Sequence, residues 1–506
     1  MQTLIAFQVN NMMFNRDEYF LQKEHFMHKK LFLALIAISS LTSFAFSQAD
    51  PAAFKVFNYY ADGWKQAKTA LAAKDSTFIT SYDKIIHDAD SMIQQGPWTV
   101  MDKALVGASG NKHDFYGIGI YLWPDPSKSN GLPYLSKDGQ TNPATQGPAY
   151  DDNRFQTMQR CMEQMGFAYY FTQNPKYAQK IDTCIKVWFL NAATKMNSNM
   201  NYAQAWPGVS TGRPEGIIAS RTNRGLLDAV SLIKGTPYWD KTSDDTLNKW
   251  FSDYLNWLST NSMALQEKNA TNNHGTWYDV QAAYYALYLG QTAVATTILN
   301  GVKNRINTQI DTNGDQPQES ARTRPLHYLC FNLEAMFRLA RMAEFVNIDL
   351  WNYKGPKGQS LKKAIDYIAP YADSAVHWTR NVDPAADPFD YSEFLPMLRM
   401  ATLKYGGTYY EQQLKKLPNQ KSIKTLREFT LFAIPAPTTV ANKGSGSGVG
   451  TPSLRQKNQE MKYYAVSGKL IHAIAGKAPS ANGVFIRCTV QNNKIVRSEK
   501  MLNGQQ

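Results

Sequence analysis

From about residue 56 to residue 435, apolar side chains recur at intervals of three and four, and no other feature constrains the fold as tightly. Phe155, Met158, Met162, Met165 and Tyr169 form one such stripe, a single apolar face on a helix of 3.6 residues per turn. Others run through Ala178–Leu190, Arg224–Ile233, Leu247–Leu258, Trp277–Leu289, Leu326–Val346 and Leu361–Tyr371. Strand-like alternation is scarce in this span, and turn-rich stretches such as Asn191–Gly212 and Asp311–Gln318 separate the stripes. Helices with one apolar face bury it against each other. Nearly 400 residues of them predict an all-α body, an incomplete (α/α)n toroid or another helical solenoid-like enzyme fold. No fixed period of the tetratricopeptide sort is present.

Both ends break this pattern. Lys29-Lys30 precede the apolar run Leu31–Phe46, and Ala45-Phe46-Ser47 puts small residues where a signal peptidase looks. Residues 1–47 therefore read as an export signal cleaved before Gln48, with Met27 the expected initiator because residues 1–26 are polar and irregular. The run is short for a membrane span, so the expected destination is the periplasm, the cell surface or the medium. A Gly/Ser linker, Lys443–Gly450, lies within 436–460. Beyond it, residues 461–506 alternate apolar and polar side chains at Tyr463–His472 and Gly483–Val490, as in a small β-rich module. The expected catalytic body is 48–435.

The net charge of +13 invites a nucleic-acid reading, and its distribution tests that reading. Residues 1–47 carry +1 and residues 436–506 carry +8, leaving +4 on the body. That is too little for a phosphate-tracking surface, but it is compatible with an anionic substrate meeting a local basic cleft. The four cysteines show neither CxxC nor Cys/His spacing, so no metal site is expected; a Cys161–Cys184 disulfide stays open.

Two segments hold reactive side chains. In Ala270-Thr-Asn-Asn-His-Gly-Thr-Trp-Tyr-Asp279 a polar loop enters an apolar helix, with Thr276 the expected N-cap. His274 would then precede a helix N-terminus, whose partial positive charge disfavours imidazolium. In Pro317-Gln-Glu-Ser-Ala-Arg-Thr-Arg-Pro-Leu-His-Tyr328, Arg322 falls in a loop and Tyr328 in the first turns of the next helix. An arginine there can clamp a carboxylate through two bonds and lower a neighbouring phenol's pKa. Taken singly, each segment also fits a capping or packing role.

Together they supply an amide, an imidazole, a guanidinium and a phenol, the set that β-elimination on a uronic acid requires. The proton on carbon 5 is hardly acidic while the adjoining carboxylate keeps its full charge. A site must neutralise that carboxylate, stabilise the enolate-like dianion, and protonate the departing glycosidic oxygen. Side chains perform all of this, so no cofactor is expected. The paired carboxylates of glycoside hydrolysis are not needed.

An ordered set of stretches resembles the alginate-lyase-like polysaccharide lyases, helical-toroid enzymes of polyuronate breakdown. They are Lys112-His-Asp114, Tyr121-Leu-Trp-Pro-Asp-Pro126, Asn199-Met-Asn-Tyr-Ala-Gln-Ala205, Gly216-Ile-Ile218 with Ser220-Arg221, Asn272-Asn-His274 with Trp277, and Leu326-His-Tyr328. The resemblance implies that Asn273, His274, Arg322 and Tyr328 are catalytic. It adds Tyr202, Gln204, Trp123, Lys112 and His113 as candidates for sugar contact, with Trp277 and His327 supporting their catalytic neighbours. The chain departs from the pattern at Leu122, where the stricter alginate lyases carry a second tryptophan, and by setting Arg322 and Tyr328 one residue closer. Glucuronan or another polyuronate thus stands beside alginate as substrate.

The tail resembles the C-terminal sorting domains of type IX secretion through Ser467-Gly-Lys-Leu-Ile471, Asn482-Gly-Val-Phe-Ile486 and Lys494–Leu502. That implies secretion machinery as a partner of an otherwise monomeric enzyme. Two other classes compete. One is a toroidal glycoside hydrolase drawing on Asp151, Asp152 and Glu319. The other is a non-catalytic surface glycan-binding protein, which would not need His274 and Tyr328 together.

Overall fold

Helices whose flanks are all apolar belong in a centre, and those with one apolar face belong around it. The computed structural model arranges the chain on that rule. It describes residues 56–418 and, further on, the strands at 460–465, 470–471, 483–491 and 494–503. The expected signal segment, its cleavage site and the Gly/Ser linker lie outside the described residues.

The helices of the body are α1 (Ala61–Ala72), α2 (Ser76–Ile93), α3 (Asp152–Thr172), α4 (Pro175–Ile185), α5 (Asn223–Ile233), α6 (Lys241–Thr260) and α7 (Ser262–Asn269). There follow α8 (Asn273–Tyr288), α9 (Thr292–Gln309), the single turn α10 (Pro317–Ser320), α11 (Pro325–Ala343), α12 (Leu361–Ile368), α13 (Phe394–Tyr405) and α14 (Tyr409–Lys416). Helices α3, α5, α8, α11 and α13 pack one against the next as an inner row. Outside them, α4 lies on α3, α6 and α9 on α8, α12 on α11, and α14 on α13. Of the two helical architectures that the stripes allowed, the body is the toroid.

Helix α8 shows why the inner row holds. All of its residues except His274 are buried. Three of its four tyrosines keep their hydroxyls bonded: Tyr278 donates to the Leu258 carbonyl at 2.7 Å, Tyr285 to the Ser220 carbonyl at 3.1 Å, and Tyr284 to Asp228. Each large side chain buried this way stabilises the fold by roughly 1.5–3 kcal/mol, provided its polar atom is satisfied.

Sequence periodicity missed a small β layer over one end of the ring. Strand β1 (Tyr116–Ile118) pairs in parallel with β4 (Tyr202–Ala205), and β2 (Leu122–Trp123) pairs antiparallel with β3 (Leu135–Ser136). Strands of two to four residues leave no period to read. Helix α8 also starts earlier than expected: Asn272 is its N-cap, accepting from the His274 amide at 3.2 Å. Thr276 lies one turn inside and donates to Gln309 Oε1 at 3.0 Å. Cys161 and Cys184 are buried free thiols, not a disulfide.

Past residue 438 the chain forms a separate unit. Its described backbone is a four-stranded antiparallel sheet of β5 (Glu460–Ala465), β6 (Leu470–Ile471), β7 (Gly483–Gln491) and β8 (Lys494–Asn503), in the order β6-β5-β7-β8.

Candidate active site

Inner helices α8 and α11 both begin beneath the β layer, and there a cleft of about 490 Å³ opens. Its wall includes Asn273, His274, Arg322, His327 and Tyr328 from the helical side, and Tyr121, Asp138 and Gln204 from the β side. The four side chains expected to be catalytic thus share one cavity although 55 residues separate Asn273 from Tyr328. Four arginines, Arg213, Arg221, Arg322 and Arg324, face two carboxylates, Asp138 and Glu215, so the wall favours an anion.

Each catalytic candidate has a partner that holds it. The Asn273 backbone amide and its Nδ2 donate to the two oxygens of Glu319, at 2.6 and 2.8 Å. Burial pushes the Glu319 carboxyl above its usual range, against the pull of those two bonds. The side-chain amide keeps one N–H and its oxygen for the cleft.

His274 Nδ1 lies 2.8 Å from Glu267 Oε1, which leaves Nε2 as the nitrogen for a substrate. Burial opposes a charge on this ring, but the Glu267 carboxylate outweighs it, and the histidine's pKa is raised above 6.5. Burial raises Glu267 as well. A helix N-terminus alone would have favoured the neutral ring. The carboxylate seven residues earlier reverses that expectation.

Arg322 lies in the turn before α11, and its fork meets an acid of the protein's own. Nε donates to Asp138 Oδ2 at 3.0 Å, and Nη2 bonds the other carboxylate oxygen. Nη2 also donates to Tyr328 Oη at 2.8 Å, with the guanidinium 3.8 Å from the ring centre. Asp138 gets this close because Gly139 has φ +78° and no side chain; a Cβ there would lie 2.6 Å from Thr323 Oγ1. The phenol in turn donates to Tyr121 Oη at 3.0 Å. The guanidinium was expected to lower the phenol's pKa. It does pull downward, but burial and the Tyr121 contact win, and Tyr328 stays well above the ordinary value.

The remaining candidates divide. Gln204 is in the wall, held in left-handed backbone (φ +46°) with Oε1 accepting from Arg213 Nη2 at 3.0 Å. His327 is in the wall too; its Nδ1 is 2.9 Å from Glu393 and its ring stacks on Phe331 at 5.7 Å. Tyr202, Trp123, Lys112, His113 and Trp277 stand outside the lining. Trp123 donates to the Gln140 carbonyl at 3.1 Å, Lys112 to the Met101 carbonyl at 3.1 Å, and His113 Nδ1 lies 2.6 Å from the Lys195 carbonyl. Trp277 is buried against Phe331, 5.0 Å between rings.

For hydrolysis two carboxylates would have to flank the cleft, free to act. Asp151 is fully buried between Lys103 and Arg154, each at 3.0 Å, and Asp152 is buried with its pKa pushed up to about 7. Neither belongs to the cleft wall, and Glu319 is bonded behind Asn273. Among the described residues, no group of three or more His, Cys, Asp or Glu is placed to hold a metal ion.

An inner ring of helices whose starts gather amide, imidazole, guanidinium and phenol in a basic cleft defines a helical-toroid polysaccharide lyase. Comparison with known proteins makes the class specific. The sequence description of the alginate lyase family matches residues 99–378. An alginate lyase from Bacteroides ovatus is 31% identical over 75% of this chain and 99% of its own, with a TM-score of 0.68. The chain belongs to the alginate lyase family. Alginate lyase A1-III from Sphingomonas species A1 is 17% identical over 72% of this chain and 92% of its own, with a TM-score of 0.45. A variant of that enzyme in complex with a tetrasaccharide is 16% identical over the same shares, also at 0.45. A search of curated proteins finds no match.

Proposed function

We propose that this lyase cleaves alginate by β-elimination, with Asn273, His274, Arg322 and Tyr328 as its catalytic residues. The observation that carries this reading is the Tyr328 hydroxyl. It takes a bond from Arg322 and gives one to Tyr121, at the edge of a cleft that also holds Asn273 and His274. The Asn273 amide, the His274 ring and the Arg322 charge meet the uronate carboxylate and lower the cost of removing the carbon-5 proton. Tyr328 gives its proton to the departing oxygen, and its raised pKa keeps that proton in place at neutral pH.

The base follows from the substrate's stereochemistry. Where the carbon-5 proton lies opposite the leaving oxygen, His274 Nε2 takes it, and Glu267 steadies the imidazolium that forms. Where both lie on one face, Tyr328 works as a phenolate: its own proton passes to solvent before the cycle, the phenolate takes the carbon-5 proton, and it hands that proton to the leaving oxygen. Arg322 already donates to that oxygen, and the Tyr121 hydroxyl, which accepts from Tyr328 here, must turn to donate once the phenolate forms. In both cases the electron pair of the carbon–hydrogen bond becomes the new carbon–carbon double bond, and the glycosidic oxygen leaves with a proton.

Incubating the protein with alginate fractions of each epimer and with glucuronan, then weighing the products, tests the reading. Elimination yields a new end lighter by one water than hydrolysis does. Products that all carry the added water would overturn it.

The reading extends to location. Residues 1–47 direct export, and the sheet beyond residue 438 is the sorting tail that hands a monomeric enzyme to the secretion machinery. Deleting 451–506 should leave the purified body active while abolishing surface delivery in the producing cell. Surface enzyme in the truncated strain would refute the tail's role.

A further inference from the structure

The arginines of the cleft differ in what already neutralises them. Arg322 is tied to Asp138 through two nitrogens, Arg213 lies 3.9 Å from Glu215, and Arg324 lies 3.9 Å from Asp387. Among the described residues, no carboxylate comes within 4.0 Å of the Arg221 guanidinium. Its bonded partner is the Ile218 carbonyl, 3.0 Å from Nη1, and its flat face lies 5.4 Å from the centre of the Phe331 ring. The acid whose charge acts on it, Glu334, is occupied: Arg338 Nε bonds it at 2.8 Å and Arg224 stands 3.9 Å away. A guanidinium drawn out of water without a counter-ion is costly to the folded chain, and burial here pulls its pKa down accordingly. Such a group in the wall of a ligand cavity is matched by a ligand that brings the missing negative charge.

The position selects which negative charge. Phe331 follows Tyr328 by three residues on α11, so it lies just under one helical turn, roughly 4.5 Å, further along the helix from the reacting phenol. Trp277 packs on the same ring and comes about one turn after Asn273 and His274 on α8. Arg221 therefore lines the cleft beside Phe331, about one turn along α11 from Tyr328.

We propose that Arg221 binds the carboxylate of a second uronate residue in the substrate chain, next to the one undergoing elimination. This rests on the polyuronate-lyase reading above and adds a charge requirement at a sugar that does not react. A planar guanidinium offers a carboxylate two parallel bonds, and the Phe331 ring shields one face of it from water. A neutral sugar at that place would leave the arginine unpaired.

The experiment compares oligouronates with the same oligomers in which the neighbouring residue is carboxyl-reduced, on wild-type enzyme and on Arg221→Gln and Arg221→Lys. Loss of a charge-assisted bond should raise KM by about 10- to 100-fold for Arg221→Gln, with kcat within about threefold and an unchanged pH profile. Arg221→Lys should fall between. Carboxyl reduction should raise the wild-type KM by a similar factor and should cost Arg221→Gln almost nothing further. The wild-type comparison stands even if a variant fails to fold. Equal wild-type KM for intact and carboxyl-reduced oligomers would overturn the proposal, as would a variant losing kcat at constant KM. No unsaturated product from wild type on any polyuronate would refute the lyase reading instead.

Discussion

Two cavities flank helix α8, and the larger is not the one with the chemistry. The outer one, about 810 Å³, lies between α6 and α9 and is lined mainly by hydroxyls, amides and short apolar side chains. Its one strong ion pair, Arg305 with Asp279, is complete within the protein. The inner cleft is smaller, but it holds a histidine, a phenol and arginines whose partners set their charge and direction. Volume alone selects the wrong face. What separates the two is whether polar groups are left with bonding capacity for something the chain does not contain.

The two faces are also coupled. From the outer side, Arg305 donates to the carbonyls of Ala270 at 2.9 Å and Lys268 at 2.8 Å. These residues form the turn between Glu267 and Asn273. Gly275 is required there, since a Cβ would lie 2.1 Å from the Ala270 oxygen and 2.4 Å from Arg305 Nη1. The outer face therefore acts as scaffold for the inner one, and substitutions should lose effect with distance from the cleft.

The largest effect belongs to Tyr328→Phe, which keeps the ring and removes the proton donor. Turnover should fall on the order of 100- to 10,000-fold with the fold and KM nearly intact. His274→Ala should fall in the same range on the epimer that needs an opposite-face base, and less on the other; equal losses on both would remove His274 from the base's role. Next comes Glu267→Gln. His274's pKa is raised because the Glu267 charge outweighs burial, so removing that charge must lower it. A base works only when neutral, so the rising limb of the pH–rate profile should move to lower pH on the opposite-face epimer. A shift upward would contradict the pairing.

Arg305→Ala should act through the scaffold. Leaving Asp279 buried and unpaired costs about 3–5 kcal/mol of stability, readable as a lowered melting temperature. Turnover should drop by less than for Tyr328→Phe. The smallest effect is expected inside the outer cavity itself. Thr297→Val should leave kcat and KM within about twofold, because the cavity contributes no group to the reaction. A large loss of activity there would give the outer face a function that this account denies it.

How much of this the sequence disclosed depended on distance along the chain. Stripes of period 3.6 are local, so the inner and outer helices were legible. The ordered motifs likewise pointed to Asn273, His274, Arg322 and Tyr328. The groups that direct those residues were not legible. Asp138 reaches Arg322 across 184 positions and Tyr121 reaches Tyr328 across 207, and no local pattern records such pairings. Glu267 is only seven residues from His274, yet the two helices break between them, so helical spacing does not bring them together. Thr276 was read as a cap because it starts the apolar stripe. Asn272, a turn earlier, takes that place, and its offset of two residues from the His274 amide was the signal available.

The most direct test follows polyuronate cleavage by two readouts at once: ultraviolet absorbance of the double bond conjugated to the carboxylate, and new reducing ends. For wild type the account predicts that both rise together, one double bond for each chain cut, and that both nearly vanish in folded Tyr328→Phe. Reducing ends accumulating without absorbance, or a folded Tyr328→Phe enzyme turning over like wild type, would contradict elimination through this phenol.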